Sequence, residues 1–487
     1  MNNKINNSVW ISQEYLACPM LATLANNSSF IPLQEYLGES YSVMLFVVEN
    51  TTANFMVRQD EMRAIGQRMI DMLMCPQYAL AYNTDMGKNQ KKAMNMASEI
   101  LENKYSFEDA IQTFEKFSEV YVSYFKFGCF SEAVGMQAEH LLTNYVKDPN
   151  KLAALLTPPP EQNAYIIDIL KSLRDCKAGK ITPEQHAKKY FWCENNYLET
   201  KCLTAGDIEN EIKKHTLSYY DNLIKTSTDQ KQKLLKQKDE ILPTLSNYYQ
   251  NIVKIATEIG VKLIDERKTV MQYCCAAFDK LLGIVAEHTN TPMADIRLLT
   301  AQELRYFTEH LNTYKERFSE RRKMFLTFQS KFPILDEIIE RTDKIMPMEE
   351  AFMAEGEVAE KALQQLNAKL NIFLDDNETD NKLQGIVAYK KENEIIGIAC
   401  VIKNPKKETL SAGEILVAAH TTPDYLNAMN KATAIIVDWG GQTSHAAIIS
   451  RELKKPCVIG TNYASNVLQT GQKIKINFTD GTIEVIK

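Results

Sequence analysis

The sequence contains 487 residues, 45% hydrophobic and 24% charged, which is typical of a soluble globular chain long enough for two or three domains. Its 56 basic and 62 acidic residues give a net charge of −6 without a basic block, so the charge pattern does not favour nucleic-acid binding. Ten scattered cysteines, a polar N-terminus and the lack of any apolar run of about 18 residues predict a cytoplasmic protein with free thiols and no membrane span.

Residues 1–374 are predicted to be mainly helical. Ser106 is followed by acidic residues and by apolar residues at helical spacing, so it is predicted to cap a helix. Thr182 is predicted to begin another helix through a capping box with Gln185. Thr300 begins a third, whose apolar residues form one stripe.

Two features of this region depart from a simple run of helices. Pro243 interrupts the charged, periodic stretch 229–266, which predicts two helices or one kinked helix. The apolar run 43–48 predicts a strand in a small N-terminal sheet.

Two segments are predicted to join parts of the chain. Residues 157–160, Thr-Pro-Pro-Pro, stop one helix and are a possible boundary between two lobes of the helical region. Residues 375–382 are polar and separate helical periodicity from strand alternation. They are interpreted either as an ordinary interdomain linker or as a tether on which the C-terminal domain moves.

In residues 383–487 the helical pattern is replaced by short stretches in which apolar and polar residues alternate. This pattern predicts a compact mixed α/β domain. Its strand candidates and its hairpin, which turns at Asp480-Gly481, are residues 385–389, 395–402, 415–418 and 473–487.

The stretch 434–460 predicts a strand, a two-glycine turn, a helix and a second strand. Thr443 or Ser444 can cap the helix, and His445 stands in its first turn. The free backbone N–H groups at a helix N-terminus favour an anion, so a phosphate on the His445 ring would lie near suitable donors. The alternative is that His445 is simply a hydrogen-bonded or exposed residue at a helix start, which is the commoner role of such a histidine.

Residues 440–461, GGQTSHAAIISRELKKPCVIGT, resemble the phosphohistidine signature of the phosphoenolpyruvate-utilising family. This family includes phosphoenolpyruvate synthase, pyruvate phosphate dikinase, rifampicin phosphotransferase and phenylphosphate synthase. The resemblance extends roughly from Leu383 to the C-terminus and implies a β/β/α phosphohistidine swivelling domain. It implies that His445 accepts and then donates a phosphoryl group, and that the residues surrounding this group are Gly440, Gly441, Thr443 and Ser444.

Three arginines are weaker candidates for the site. Arg451 matches an Arg-Glu pair of the family, and an ion-pairing role is favoured over direct phosphate binding. Arg321 and Arg322 lie on a predicted helix, where they either face solvent or bind an anionic acceptor. No metal-ligand pattern is recognised.

The resemblance also suggests how the work is divided between proteins. With 18 glycines and a helical N-terminal portion, the sequence is not expected to contain an ATP-grasp domain, and no pyruvate-binding barrel is expected either. The chain is therefore interpreted as a phosphotransferase subunit whose helical region binds a small-molecule acceptor. ATP and Mg²⁺ are expected at a separate ATP-grasp partner. The alternatives are a regulatory or scaffold protein marked by phosphorylation of His445, and a phosphocarrier fed by phosphoenolpyruvate.

Overall fold

The structure is a computed structural model, and the predicted linker 375–382 lies outside the residues that it describes. The described residues are 10–27, 34, 36–38, 40–49, 51–162, 165–330, 351–370, 372, 383–403, 405, 408–421, 425–442, 444–461 and 463–486.

The described helices are distributed along the whole chain. In order, they are α1 (Pro19–Asn27), α2 (Gln59–Leu73), α3 (Pro76–Glu102), α4 (Phe107–Tyr145), α5 (Pro149–Leu155), α6 (Tyr165–Lys177), α7 (Pro183–Tyr190), α8 (Ala205–Lys214), α9 (Leu217–Ile241), α10 (Asn247–Ile255), α11 (Leu263–Thr289), α12 (Met293–Ile296), α13 (Leu304–Phe307), α14 (Leu311–Lys323), α15 (Gly356–Leu370), α16 (Leu426–Lys431), α17 (His445–Glu452) and α18 (Ala464–Val467). A 3₁₀ turn, Leu242–Thr244, separates α9 from α10, and a π-helical segment, Ala256–Lys262, connects α10 to α11.

The strands lie in two groups. They are β1 (Trp10–Leu16), β2 (Val43–Glu49), β3 (Thr52–Arg58), β4 (Met324–Ser330), β5 (Ala351–Glu355), β6 (Leu383–Gln384), β7 (Ile386–Tyr389), β8 (Glu394–Val401), β9 (Ile415–Ala418), β10 (Ala434–Val437), β11 (Cys457–Ile459), β12 (Lys473–Asn477) and β13 (Thr482–Val485). The broad prediction of a largely helical N-terminal region followed by a C-terminal α/β region is confirmed.

The chain divides into two compact units, each assembled from separate segments. The first comprises Met1–Ala133, Asn195–Cys202 and Arg267–Asp375. The second comprises Val134–Glu194, Leu203–Glu266 and Asp376–Lys487, so part of the helical region belongs with the C-terminal domain.

Local sequence signals determine several helix starts. The Ser106 hydroxyl accepts a hydrogen bond from the Asp109 amide at 3.1 Å, directly before α4. Thr182 forms the predicted capping box before α7. The helix predicted after Thr300 is divided into the short α13 and the longer α14.

The first unit contains an antiparallel sheet with the strand order β1-β3-β2-β4-β5. The predicted strand at residues 43–48 is confirmed as β2. The expectation that the sequence after α14 continues as helices is wrong for β4 and β5. β4 is a buried seven-residue strand that pairs with β2, almost 300 residues earlier, and such long-range pairing leaves little local signal.

The core of the first unit includes aromatic residues that α4 and α11 contribute. Phe114, Phe117 and Tyr121 of α4 contact Phe278 of α11, with ring centroids 4.4–5.5 Å apart. These side chains are almost fully buried. The aromatic stretch near residue 121 therefore serves the helical core.

In the second unit, two lysines of α9 bind the proline-rich segment. Lys238 donates to the Thr157 carbonyl at 2.8 Å, and Lys231 donates to the Pro160 carbonyl at 3.3 Å. Burial lowers the pKa of Lys238 to about 8. Residues 157–160 are thus attached to α9, and the sub-boundary proposed there stays a prediction.

The C-terminal domain is built on an eight-stranded sheet with the order β6-β13-β12-β8-β9-β10-β11-β7. Its four central strands, from β8 to β11, are parallel, whereas the outer pairs are antiparallel. The predicted hairpin is formed by β12 and β13, and Gly481 takes φ +76° in its turn. Within the second unit, α5 packs against β7 and α9 packs against α17.

One helical stretch of the described residues, Asn247–Thr289, is long and apolar enough to resemble a membrane span by length and composition. Its most apolar window has a mean hydropathy of 1.2, and 61% of that window is buried inside the protein. Such burial is the pattern of a core helix in a globular protein.

Candidate functional site

The predicted phosphate-binding residues follow β10, at the edge where the parallel strands end. β10 is fully buried and has a parallel neighbour on each side. After β10, the Asp438 amide donates to the Ala418 carbonyl at 3.1 Å, which prolongs the pairing with β9. The chain then leaves the sheet through residues 440–442, called here the glycine turn. Open α/β sheets bind ligands at this edge.

Gly440 and Ser444 shape the start of α17. Gly440 has φ +122°, and a Cβ built on it would lie 2.6 Å from the Cβ of Ser444. The Ser444 amide donates to the Gly441 carbonyl at 2.9 Å, and the Ser444 hydroxyl accepts from the Ala447 amide at 3.3 Å. Ser444 is therefore the cap of α17, and the predicted strand–turn–helix–strand sequence is confirmed.

Gln442 connects the glycine turn to the interior of the C-terminal domain. The side chain is fully buried, and its amide nitrogen donates to the Val387 carbonyl at 2.8 Å. Its amide oxygen accepts from Nη1 of Arg451 at 2.9 Å, and its main-chain carbonyl accepts from Nη2 of Arg451 at 2.5 Å. Gln442 is not among the predicted site residues, although a polar residue next to two glycines is a usable signal.

Arg451 stabilises the glycine turn from the interior of the C-terminal domain. Burial lowers the pKa of Arg451 to about 10, and the nearby carboxylate of Glu139 opposes that effect. The guanidinium therefore stays charged at neutral pH and gives charge-assisted hydrogen bonds to Gln442. A direct contact between Arg451 and a phosphate stays a prediction.

Glu139 of α4 lies against the other side of the glycine turn. Its side chain is buried, and its Oε2 accepts a hydrogen bond from the Gln442 amide at 2.5 Å. A Cβ built on Gly441 would overlap this carboxylate, so the turn approaches α4 closely only because residue 441 is glycine. No local pattern could reveal this contact, since Glu139 and Gln442 are 303 positions apart.

Asp438 ties the end of β10 to the segment that follows β11. Its carboxylate accepts hydrogen bonds from the Thr461 hydroxyl at 2.7 Å and from the Ser465 amide at 3.1 Å. Burial raises the pKa of Asp438, and these hydrogen bonds act in the opposite direction. Asp438 therefore fixes the two loops that border the site.

The remaining predicted site residues differ in how fully the structure describes them. The backbone of His445 forms the first position of α17. Thr443 lies outside the described residues. Gly440, Gly441 and Ser444 are brought together, but their role in phosphate binding stays a prediction.

Arg321 and Arg322 belong to the first unit. Arg321 is 1% exposed, and it donates to Glu303 through two nitrogens at 2.6 Å and to Glu355 through a third at 2.5 Å. Arg322 is exposed and forms an ion pair with Asp295. These contacts give Arg321 a place in a buried ion network, and the acceptor-binding role of both arginines stays a prediction.

A cavity of about 550 Å³ lies at a different edge of the C-terminal domain. Its lining includes Thr433, which precedes β10, and Pro456, which precedes β11. Because the glycine turn follows β10, this cavity is at the opposite ends of the parallel strands. Among the residues that the structure describes, no group of three or more His, Cys, Asp or Glu side chains is placed to hold a metal ion.

Comparison with known proteins identifies the domain that contains this site. Residues 410–481 match the family model of the PEP-utilising enzyme, mobile domain. Residues 410–481 are a mobile domain of the type found in PEP-utilising enzymes. The matched residues include β9, β10, α17 and β11, and therefore the glycine turn and the start of α17.

Several phosphoenolpyruvate synthases are similar to a small part of this chain. Over 76 residues it is 47% identical to the phosphoenolpyruvate synthase of Pyrococcus furiosus, which covers 16% of this chain and 9% of that protein. It is 41% identical over 90 residues to a probable phosphoenolpyruvate synthase of Staphylothermus marinus, covering 18% and 11%. For a probable phosphoenolpyruvate synthase of Archaeoglobus fulgidus, it is 38% identical over 113 residues, covering 22% and 15%. The matches thus span a small part of these relatives.

Glu452, at the end of α17, gives the second unit a testable pH dependence. Burial raises the pKa of Glu452 from its usual 4.5 to about 7, and Asp265 of α11 adds to this effect. Lys231 and Ser227 of α9, together with Arg451, act in the opposite direction. The raised pKa means that the folded state binds this proton more tightly than the unfolded state does. Glu452 therefore destabilises the folded protein progressively as the pH rises from about 4.5 through 7.

We expect Glu452→Gln to stabilise the second unit by about 1–3 kcal/mol at pH 8 and to have little effect at pH 5, since the folded state already holds the proton there. Urea unfolding measured at both pH values checks this prediction. Glu392→Gln, which changes an exposed carboxylate of the same domain, is the control. An equal effect of Glu452→Gln at both pH values would contradict the prediction.

Proposed function

We propose that this chain is a phosphotransferase component in which His445 carries a phosphoryl group from ATP to a small-molecule acceptor. The observation that carries the proposal is the position of His445. It is the first residue of α17, three residues after the glycine turn, and it lies within the residues that match the mobile domain.

The surroundings of His445 suit a transiently bound anion. The first amides of α17 and the positive end of its helix dipole favour a negative group by about 0.3–1 kcal/mol, and by up to ~2 kcal/mol in a sheltered site. A Cβ at Gly440 would lie 2.6 Å from the Cβ of Ser444, so glycine is required beside the cap of this helix. A neutral imidazole is a competent nucleophile near neutral pH, because its unperturbed pKa is about 6.5.

The proposed reaction has two transfer steps. In the first, a ring nitrogen of His445 attacks the phosphorus of the β-phosphoryl group of ATP, and the phosphorus–oxygen bond to AMP breaks. Water then attacks the γ-phosphorus, the bond from this phosphorus to the bridging oxygen breaks, and phosphate leaves, so that one phosphoryl group stays on His445. In the second step, a hydroxyl oxygen of the acceptor attacks the phosphorus, the nitrogen–phosphorus bond breaks and the acceptor loses its proton.

ATP, Mg²⁺ and the acceptor are proposed to bind outside the site around the glycine turn. ATP and Mg²⁺ bind to a separate ATP-grasp protein, where Mg²⁺ neutralises charge on the transferred phosphates. The helical region provides the acceptor site. The mobile domain, as a β/β/α swivelling domain, moves between the ATP site of the partner and this acceptor site. The reaction is proposed to take place in the cytoplasm.

Labelling with [β-³²P]ATP tests the proposal. The purified chain with ATP and Mg²⁺ should release no phosphate, but it should acquire an acid-labile, base-stable label when a candidate ATP-grasp partner is added. His445→Ala should lower this label by at least about 100-fold, because the variant has no nucleophile at that position. Mass spectrometry of the labelled peptide checks the site.

His310→Ala is the matched control, since His310 is an exposed histidine outside the mobile domain. This variant should retain the full label. Acid-labile label retained in His445→Ala would sink the assignment. Loss of the wild-type label on addition of a small hydroxyl compound, with a phosphorylated product, would identify the acceptor.

A further inference from the structure

The contact between Glu139 and the glycine turn joins the helical part of the second unit to the mobile domain. The Glu139 carboxylate is 6% exposed and accepts the Gln442 amide hydrogen. It also lies so close to Gly441 that no Cβ would fit between them. A buried carboxylate of α4 therefore contacts the turn that ends three residues before His445.

The charge of Glu139 matches the electrostatics of that turn. The buried guanidinium of Arg451 binds Gln442 from within the mobile domain, and it interacts favourably with the Glu139 carboxylate. The N-terminus of α17 begins three residues after Gln442 and adds positive potential. Glu139 is thus an anion bound to the turn that precedes the helix on which His445 stands.

We propose that Glu139 is a positioning residue that seats the unphosphorylated glycine turn on α4, and that a phosphoryl group on His445 displaces it. This inference rests on the proposed function, because it requires a phosphoryl group at His445. A phosphohistidine carries close to two negative charges near neutral pH, and like charges repel strongly in a partly buried site. Phosphate and carboxylate would also compete for the same backbone donors and for the field of Arg451.

The consequence is a contact that depends on the phosphorylation state. The unphosphorylated mobile domain is held by Glu139, whereas the phosphorylated domain loses this hydrogen bond and is released from α4. Each round of transfer restores the contact. Such a residue would make the position of the mobile domain depend on whether it carries the phosphoryl group.

Hydrogen–deuterium exchange of the full chain tests the seating role. In Glu139→Gln, the amides of residues 440–448 should exchange roughly tenfold faster, because a hydrogen bond to a charged acceptor is lost. Glu119→Gln makes the same change at an exposed position of α4 and should leave this exchange unchanged. Equal exchange in the wild type and Glu139→Gln would overturn the proposal.

Chemical phosphorylation with phosphoramidate tests the competition without any partner protein. Wild-type chain labelled at His445 should show the fast exchange of Glu139→Gln, and unlabelled Glu139→Gln should be phosphorylated at His445 several-fold faster than the wild type. Labelling of Glu139→Gln at the wild-type rate would mean that Glu139 does not compete with the phosphoryl group at His445.

The outcomes separate the two hypotheses. Label at His445 with exchange that stays slow would overturn the role of Glu139 and leave the proposed function intact. Phosphoramidate that labels other histidines but not His445 would count against the proposed function itself, and the displacement of Glu139 would fall with it.

Discussion

Replacing Arg321 with methionine should destabilise the first unit by about 3–5 kcal/mol, which is the usual cost of removing one member of a buried ion network. Arg321 is fully buried, and its guanidinium donates to Glu303, Glu355 and the Leu298 carbonyl. Methionine fills much of the volume but leaves the Glu303 carboxylate, 2% exposed, without its principal partner. The paired Arg321 lowers the pKa of Glu303 against the effect of burial, so the loss should increase at high pH.

Native-state hydrogen exchange in β4 measures this loss, because core strand amides report the larger opening reactions of a unit. Arg322→Met is the matched control. Arg322 is the next residue, but it is exposed and paired with Asp295 at the surface, so its removal should cost no more than about 1 kcal/mol. Similar losses in the two variants would contradict the buried-network interpretation.

A double variant distinguishes the loss of the Arg321–Glu303 ion pair from the cost of an unpaired, buried Glu303 carboxylate. Combining Arg321→Met with Glu303→Gln should recover part of the lost stability, because the neutral glutamine leaves no unpaired charge in the interior. Full additivity of the two single losses would mean that the two residues are not energetically coupled.

The local architecture of the mobile domain was predictable from its sequence. The β10–turn–α17–β11 order follows from an apolar run, two glycines and a Thr-Ser pair, all of which act over a few residues. The hairpin at Gly481 likewise needs only a local turn signal. The resemblance of residues 440–461 to the phosphohistidine signature implies the role of His445.

Features that depend on distant residues were not predictable in this way. β4 was missed because its pairing with β2 joins residues near 45 and 327. Arg321 was interpreted as either solvent-facing or acceptor-binding, since a helix sequence does not show that Glu303 and Glu355 surround it. The contact of Glu139 with Gln442 crosses 303 positions. In each case a tertiary contact determines the structure or the role of the residue, and a single sequence contains no periodic pattern that reveals such a contact.

Replacing Arg451 with methionine should have the second large effect, a loss of about 3–5 kcal/mol from the stability of the mobile domain. Two acceptors of the fully buried Gln442 lose their donors, and Glu139 loses the nearby cation that favours its charge. The glycine turn should then move away from its position before α17. Native-state hydrogen exchange of the β10 amides measures the stability. The rate at which phosphoramidate labels His445 should change if the glycine turn has moved.

Lys431→Met removes an exposed positive charge from the same domain and should alter neither measurement. Arg451→Lys separates charge from geometry, because lysine keeps the charge but cannot reproduce the planar two-nitrogen fork. It should lose about 1–3 kcal/mol, since one acceptor of Gln442 stays unsatisfied. Wild-type stability and labelling in Arg451→Met would mean that Gln442 holds the turn through Val387 alone, and that Arg451 has a different role at this edge.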